Sequence, residues 1–304
     1  MKPWKAELSL FFVTFIWGGT FIFTKLGLQD CPPSLYIILR FTIALSISLL
    51  IFGKHLSKLN KVTLRNGMIL GLFFGFGFIL QTYGLKFTSV SKSAFITGIS
   101  VCLTPFVYWF VERKKIQIWQ KLGVVVVSFG LWLFTNPDFG NLNIGDVLTL
   151  FSTIFWALYI TYMDVFTRGK EEFSETVQLV TLQLVFASIV AILGFLIFEL
   201  NNFSINISKN LIISLSYNGI LASFLLTFIH TAVQRYTTPV KAALIFSLEP
   251  AIASIIAMIV LSEILNLREY IGGGILILGV LLSELGVFIF YIYIQILKLF
   301  KKID

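Results

Sequence analysis

The sequence predicts an all-α integral membrane protein whose ten transmembrane helices form two inverted five-helix repeats. Three observations carry that expectation. Hydrophobic residues fill 57% of the 304 positions and charged residues 12%, with a mean hydropathy of +0.92, which leaves too little polar surface to clothe a soluble globule. Charged and Pro/Asn/Gly-rich breaks divide the chain into ten apolar segments, most with the roughly 20 residues a bilayer requires. Finally, Lys92 to Gly123 and Lys241 to Gly272 both span 31 residues (123 − 92 and 272 − 241), and each glycine has another seven positions on, Gly130 and Gly279. Two halves, 1–140 and 141–304, share one plan. Five spans is an odd number, so the second half enters the membrane upside down.

In order, the segments fall at roughly 7–28, 34–52, 66–86, 91–111, 119–135, 145–167, 175–198, 211–234, 239–261 and 270–296. The first, Leu8 to Leu28, is longer than a signal-peptide core and lacks a small-residue cleavage site, so it is expected to be retained. Pro105 interrupts the fourth, which has Lys92 near its start. The fifth is short, and Trp119 to Lys121 blur its beginning. Asp164 and Arg168 are four apart at the end of the sixth, an ordinary helix pair. The tenth is long enough to tilt, and Gly272, Gly279 and Gly286 mark it as a packing helix, leaving the role of Glu284 open.

The ninth segment organises the rest. Thr238 to Glu263 reads as one membrane-length helix with Glu249 and Pro250 near its middle. A carboxylate at that depth costs roughly 2.5–3.5 kcal/mol on insertion scales, and the proline leaves the Phe246 carbonyl without its helical donor. Such groups persist only against protein or a watered cavity. Paired, interrupted segments in corresponding places of two halves point to the binding site of a secondary transporter. The prolines stand 13 and 9 residues after Lys92 and Lys241, so exact symmetry is not expected there.

The charge of +8 does not indicate nucleic acid, because no aromatic-laced basic surface accompanies it. Seventeen Lys and Arg fall on the amino-terminal side of the spans and five, Lys25, Lys86, Lys92, Lys209 and Arg268, near the other edge. Both termini are therefore expected in the cytoplasm. Cys31 and Cys102 sit at different depths and offer neither a disulfide framework nor a metal set. Asn202-Phe203-Ser204 and Asn206-Ile207-Ser208 match glycosylation sequons, which matter only in a secretory pathway. No phosphate-cradling loop, haem or zinc spacing, or nucleophile elbow is present, and His55 and His230 stand apart. An enzyme is not expected, nor a cofactor or metal.

The residues resemble the EamA-type permeases of the drug/metabolite transporter superfamily over nearly the whole chain. Trp17-Gly18-Gly19-Thr20-Phe21 followed by Lys25, and Arg40-Phe41, are similar to the opening of that family. Asp146 before Trp156-Ala157-Leu158-Tyr159, and Ala242-Ala243-Leu244-Ile245 running through Ser247-Leu248-Glu249-Pro250 to Glu263, are closer still. The resemblance implies a multi-pass protein of the bacterial inner membrane that moves a small molecule through a cavity lined by spans one, three, four, six, eight and nine. It favours export, and a monomer is expected.

Ten residues are candidates for substrate binding. Glu249 would meet a substrate amine or carry a proton; its structural alternative is a hydrogen bond to a neighbouring helix. Gln81 and His230 stand 149 apart (230 − 81), the offset of Lys92 and Lys241, and both can hydrogen-bond a polar ligand; His230 could also titrate, or simply bond a neighbouring helix. Trp17 and Trp156, with Tyr83 and Tyr159, would supply stacking or cation–π walls, or ordinary packing. Thr97, Ser100 and Ser247 lie on stripes of small and hydroxylated residues that either let helices approach or line a cavity. Arg40 is either a counter-charge for a carboxylate or a helix-pairing arginine. The cargo expected is a small polar metabolite, amino acids or related amines first and nucleosides or sugars second. Coupling to protons would fall to Glu249 or His230. A receptor or scaffold without flux is the reading from another class, although long loops or a signalling domain are lacking.

Overall fold

The computed structural model describes the backbone of residues 1–135, 143–170, 172–201, 203–261 and 266–300, with side chains at all of these except 58, 135, 257–261 and 284–300. Glu263, Asn202, the 140/141 boundary and the last four residues lie outside the described residues, as does the side chain of Glu284.

The described residues form a bundle of ten helical rods. In order they are α1 (Pro3–Gly27), α2 (Pro33–Phe52), α3 (Lys61–Phe87), the broken rod α4 (Val90–Gly98) and α5 (Ser100–Glu112), α6 (Ile118–Thr135), α7 (Ile144–Thr167) and α8 (Phe173–Phe198). The eighth rod comprises α9 (Lys209–Ser216), a π-helical stretch Tyr217–Leu225 and α10 (Leu226–Val233); α11 (Pro239–Phe246) with α12 (Glu249–Leu261), and α13 (Leu267–Phe300), follow. Among the described residues, eight helices are long and apolar enough to cross a membrane. Large apolar side chains such as Leu50, 85% exposed, and Phe106, 72% exposed, cover the outside. In water they would be a liability; against lipid they are the solvent-facing surface.

Local chemistry starts these helices where backbone donors would otherwise be orphaned. Proline opens α1, α2 and α11, where a missing N–H loses nothing. Asn60, Ser89, Asn143 and Ser208 cap four others through their side-chain oxygens, and Thr238 caps α11 as well, each cap contributing about 1 kcal/mol. The start of α2 also borrows a carboxylate: Glu199, at the end of α8, accepts from the backbone N–H groups of Ser34 and Leu35 at 2.8 and 3.1 Å.

The rods pair in a pattern that recurs with the halves exchanged. α1 packs on α11 and α12 as α7 packs on α4 and α5, and α1 meets the eighth rod as α7 meets α3. α3 lies on α8 as the eighth rod lies on α2, while α2 with α8, and α6 with α13, are each a rod against its own counterpart. That is a twofold relation between inverted repeats. The α6 and α13 seam is made by the repeated glycines: a Cβ on Gly123 would sit 2.9 Å from the Gly279 carbonyl, and one on Gly272 would sit 2.4 Å from the Phe134 nitrogen.

Both broken rods fail at equivalent places. α4 stops at Gly98 and α5 begins at Ser100; α11 stops at Phe246, and α12 begins at Glu249. Ser100 and Glu249 are 149 residues apart (249 − 100). The sequence had suggested one continuous helix with Glu249 inside it and unequal interruptions set by the prolines. Instead Glu249 and Pro250 occupy the first turn of α12, where neither the carboxylate nor the absent N–H is unfavourable. Pro105 lies within α5, five residues after its start.

Candidate functional site

The broken rods flank a central cavity, partly open to solvent, whose atom-free space including that open part is about 550 Å³. Among the described residues fourteen side chains line it, and twelve of them form six pairs. Trp17 with Trp156, Thr20 with Tyr159, and Phe21 with Ile160 are 139 residues apart (156 − 17) and come from α1 and α7. Gln81 with His230, Thr97 with Phe246, and Ser100 with Glu249 are 149 apart (230 − 81) and come from α3 and α10, α4 and α11, and α5 and α12. Arg40 of α2 and Phe78 of α3 complete the wall outside these pairs.

Eight of the ten sequence candidates therefore face this space: Trp17, Gln81, Thr97, Ser100, Trp156, Tyr159, His230 and Glu249. Tyr83 and Ser247 do not. Tyr83 lies two residues beyond Gln81, roughly 200° around the helix, and its hydroxyl donates to Glu199 at 2.5 Å, completing the support of the α2 start. Ser247 sits in the break itself and donates to the Leu244 carbonyl at 2.6 Å. The six spans implied by the resemblance all contribute, and the second span joins them through Arg40.

Aromatic rings frame the second half of the wall. The His230 ring stands edge-on to Trp17, Tyr159 and Phe246 at 5.7, 5.7 and 5.1 Å between centroids. Its Nε2 lies 2.9 Å from Gln234 Oε1, while Nδ1 is buried without a partner among the described residues. The Tyr159 hydroxyl donates to Gln183 at 2.8 Å, and Gln183 in turn donates to Thr231. Gln81 Nε2 donates to Thr97 Oγ1 at 2.9 Å. Trp17 Nε1 donates to the Ala222 carbonyl at 3.3 Å, whereas the Trp156 indole N–H has no partner among the described residues.

Two charges remain. Arg40 is 2% exposed; its Nε donates to Ser223 Oγ at 2.5 Å, its guanidinium carbon lies 4.3 Å from the Phe78 ring centroid, and its Nη2 is buried without a partner among the described residues. Ser223 sits on the π-helical stretch, the kind of local distortion that marks functional sites. Among the described residues Glu249 has neither a side-chain hydrogen bond nor an ion pair, and no ion pair joins it to Arg40. Arg40 is ambiguous in the sequence, because a buried arginine and a helix-pairing arginine look alike until the neighbours are known.

The same polar arrangement stands at both ends of the bundle. At the end where α1 starts, Glu7 accepts from Lys241 at 2.8 Å and from Thr237 at 3.5 Å, and Thr238 caps α11. At the opposite end Asp146 accepts from Lys92 at 2.7 Å and from Thr88 at 2.6 Å, and Ser89 caps α4. Thr88, Ser89 and Lys92 are each 149 residues before Thr237, Thr238 and Lys241, and Glu7 is 139 before Asp146 (146 − 7). A lysine in the first turn of a helix opposes the helix dipole. Here both lysines reach across to an acid on the opening helix of the other half.

The sequence profile of the EamA-like transporter family matches residues 4–136 and 143–285. The chain belongs to the EamA-like transporter family. This EamA-like transporter is 30% identical over 287 residues to an uncharacterized transporter of Archaeoglobus fulgidus, covering 94% of this chain and 88% of that one. It is 24% identical over 287 residues to the uncharacterized transporter YoaV of Bacillus subtilis, covering 92% and 96% of the two chains. A solved crystal structure superposes with a TM-score of 0.74 at 14% identity, covering 92% of the transporter and 98% of that chain, a likeness of fold. The protein is thus a multi-pass membrane transporter and not an enzyme.

Proposed function

We propose that this EamA-like transporter is an alternating-access carrier of small polar organic metabolites bearing an amine, amino acids first, and that it works in export from the cytoplasm. The observation that carries the reading is the Glu249 carboxylate, which opens into an aromatic-walled cavity with no side-chain partner of its own among the described residues. A carboxylate held out of water favours a cationic ligand, and Trp17, Trp156 and Tyr159 offer faces on which an ammonium gains further attraction.

The duplicated closures support alternation. A carrier needs two access states of similar free energy, and two equivalent latches, one at each end of the cavity, supply a matched pair of barriers. Breaking Lys241 from Glu7 would open the amino-terminal end; breaking Lys92 from Asp146 would open the other. The orientation expected from the charge distribution makes the first of these the cytoplasmic end.

Counterflow of labelled amino acids in liposomes containing the purified chain tests the reading. Wild-type protein should exchange substrate, and Glu249→Gln, present at normal abundance, should lose at least roughly tenfold in rate if the charge-assisted contact is worth the usual 1.5–3 kcal/mol. Unchanged exchange in that variant would remove Glu249 from the site.

A further inference from the structure

We propose that Arg40 is the carboxylate-binding group of the cavity, so that the cargo is held as a zwitterion with its two charges at opposite walls. The ammonium end of this assignment rests on the amine reading above; the carboxylate end stands on Arg40 alone.

Twelve lining residues come as six equivalent pairs, and Arg40 and Phe78 stand outside that set. No residue of α8, the counterpart of α2, lines the cavity. The twofold scaffold therefore does not account for Arg40; something particular to one side of this cavity does. Its setting fits an anion. The guanidinium is 2% exposed, forms no ion pair among the described residues, and leaves Nη2 without a partner. A buried, uncompensated cation is strongly unfavourable, and an arriving carboxylate relieves it.

Geometry favours that ligand over a diffuse anion. Nε is taken by Ser223, and the face lies over Phe78, which together fix the plane. What remains is the terminal edge of the guanidinium, the edge that meets a carboxylate through two parallel hydrogen bonds. Glu249 lies in the same cavity without pairing to Arg40. A ligand carrying both charges satisfies both walls at once, whereas a simple amine leaves Arg40 uncompensated.

Three matched probes separate the charges: L-phenylalanine, phenethylamine, which lacks the carboxylate, and 3-phenylpropanoate, which lacks the amine. Their affinities would be read from melting-temperature shifts of the full chain in lipid nanodiscs. Arg40→Gln should weaken L-phenylalanine and 3-phenylpropanoate roughly 10- to 100-fold and leave phenethylamine within about twofold; Arg40→Lys should recover part of the loss. Glu249→Gln should do the reverse, sparing 3-phenylpropanoate. If only Arg40→Gln discriminates, the amine reading falls and the carboxylate site stands. Equal weakening of all three probes by Arg40→Gln, or no weakening, overturns the assignment, as does a wild-type protein that responds to neither carboxylate probe. Should Arg40→Gln not fold, Phe78→Leu decides by the same criterion, with a smaller selective loss expected.

Discussion

At the scale of single residues, the side chains that sequence reading could place on a face but not against a neighbour divide cleanly. Gln81 and Tyr83 are both polar, two positions apart on α3, and one turns to the cavity while the other completes the support of α2 by Glu199. Only the partner decides between them. Cys31, in the connection between α1 and α2, is another case. It is 3% exposed, and burial, ahead of the charges of Glu199 and Asp30, pushes its thiol up to about 12. The thiolate is the reactive form, so Cys31 should resist maleimide at pH 7 in folded protein and label readily once the chain is unfolded in detergent and urea. Rapid labelling of native protein at Cys31 would contradict the burial.

At the scale of elements, the interruptions of the fourth and ninth spans were legible and their positions were not. Prolines 13 and 9 residues after the lysines pointed to unequal breaks, yet α5 and α12 begin at equivalent residues. Pro250 sits in the first turn of α12, where proline is tolerated, and Pro105 is carried inside α5, so neither proline alone sets the break. The glycine pattern fared differently, because Gly272 and Gly279 already marked the tenth span as a packing helix, and with their repeat partners Gly123 and Gly130 they form the α6 and α13 seam. Gly272→Leu would drive its side chain into the Phe134 backbone, 2.4 Å from where its Cβ would lie. Overpacking of this kind costs about 1–3 kcal/mol. A lowered melting temperature is expected, with substrate affinity retained in whatever protein remains folded; an unchanged melting temperature would show that the seam can part.

At the scale of the whole molecule, the two closures make the transport cycle testable. Asp146 accepts from Lys92, Thr88 and the Asn143 backbone N–H, and its side chain is 2% exposed, whereas Glu7, which accepts from Lys241 and from Thr237, is 15% exposed. The amino-terminal latch is the wetter one and should open first. With Thr97→Cys as a reporter in a chain lacking both native cysteines, Glu7→Gln should speed labelling by an impermeant maleimide several-fold from the amino-terminal side alone. Asp146→Asn should do so from the opposite side alone, and by the larger factor because it removes the drier pair. Both variants changing access from one and the same side would refute the paired closures.

By itself the sequence determined the solvent, the number of spans, the duplication and the inversion. Hydropathy, spacing and parity are properties of the chain that no packing can change. Tertiary structure alone decided which polar groups lack partners, because a hydrogen bond is a relation between residues far apart in sequence. In the sequence Glu249 is legible as costly at its depth, and Arg40 as a counter-charge or a helix-pairing arginine. Only when the rods close around them does it emerge that neither is neutralised by the other.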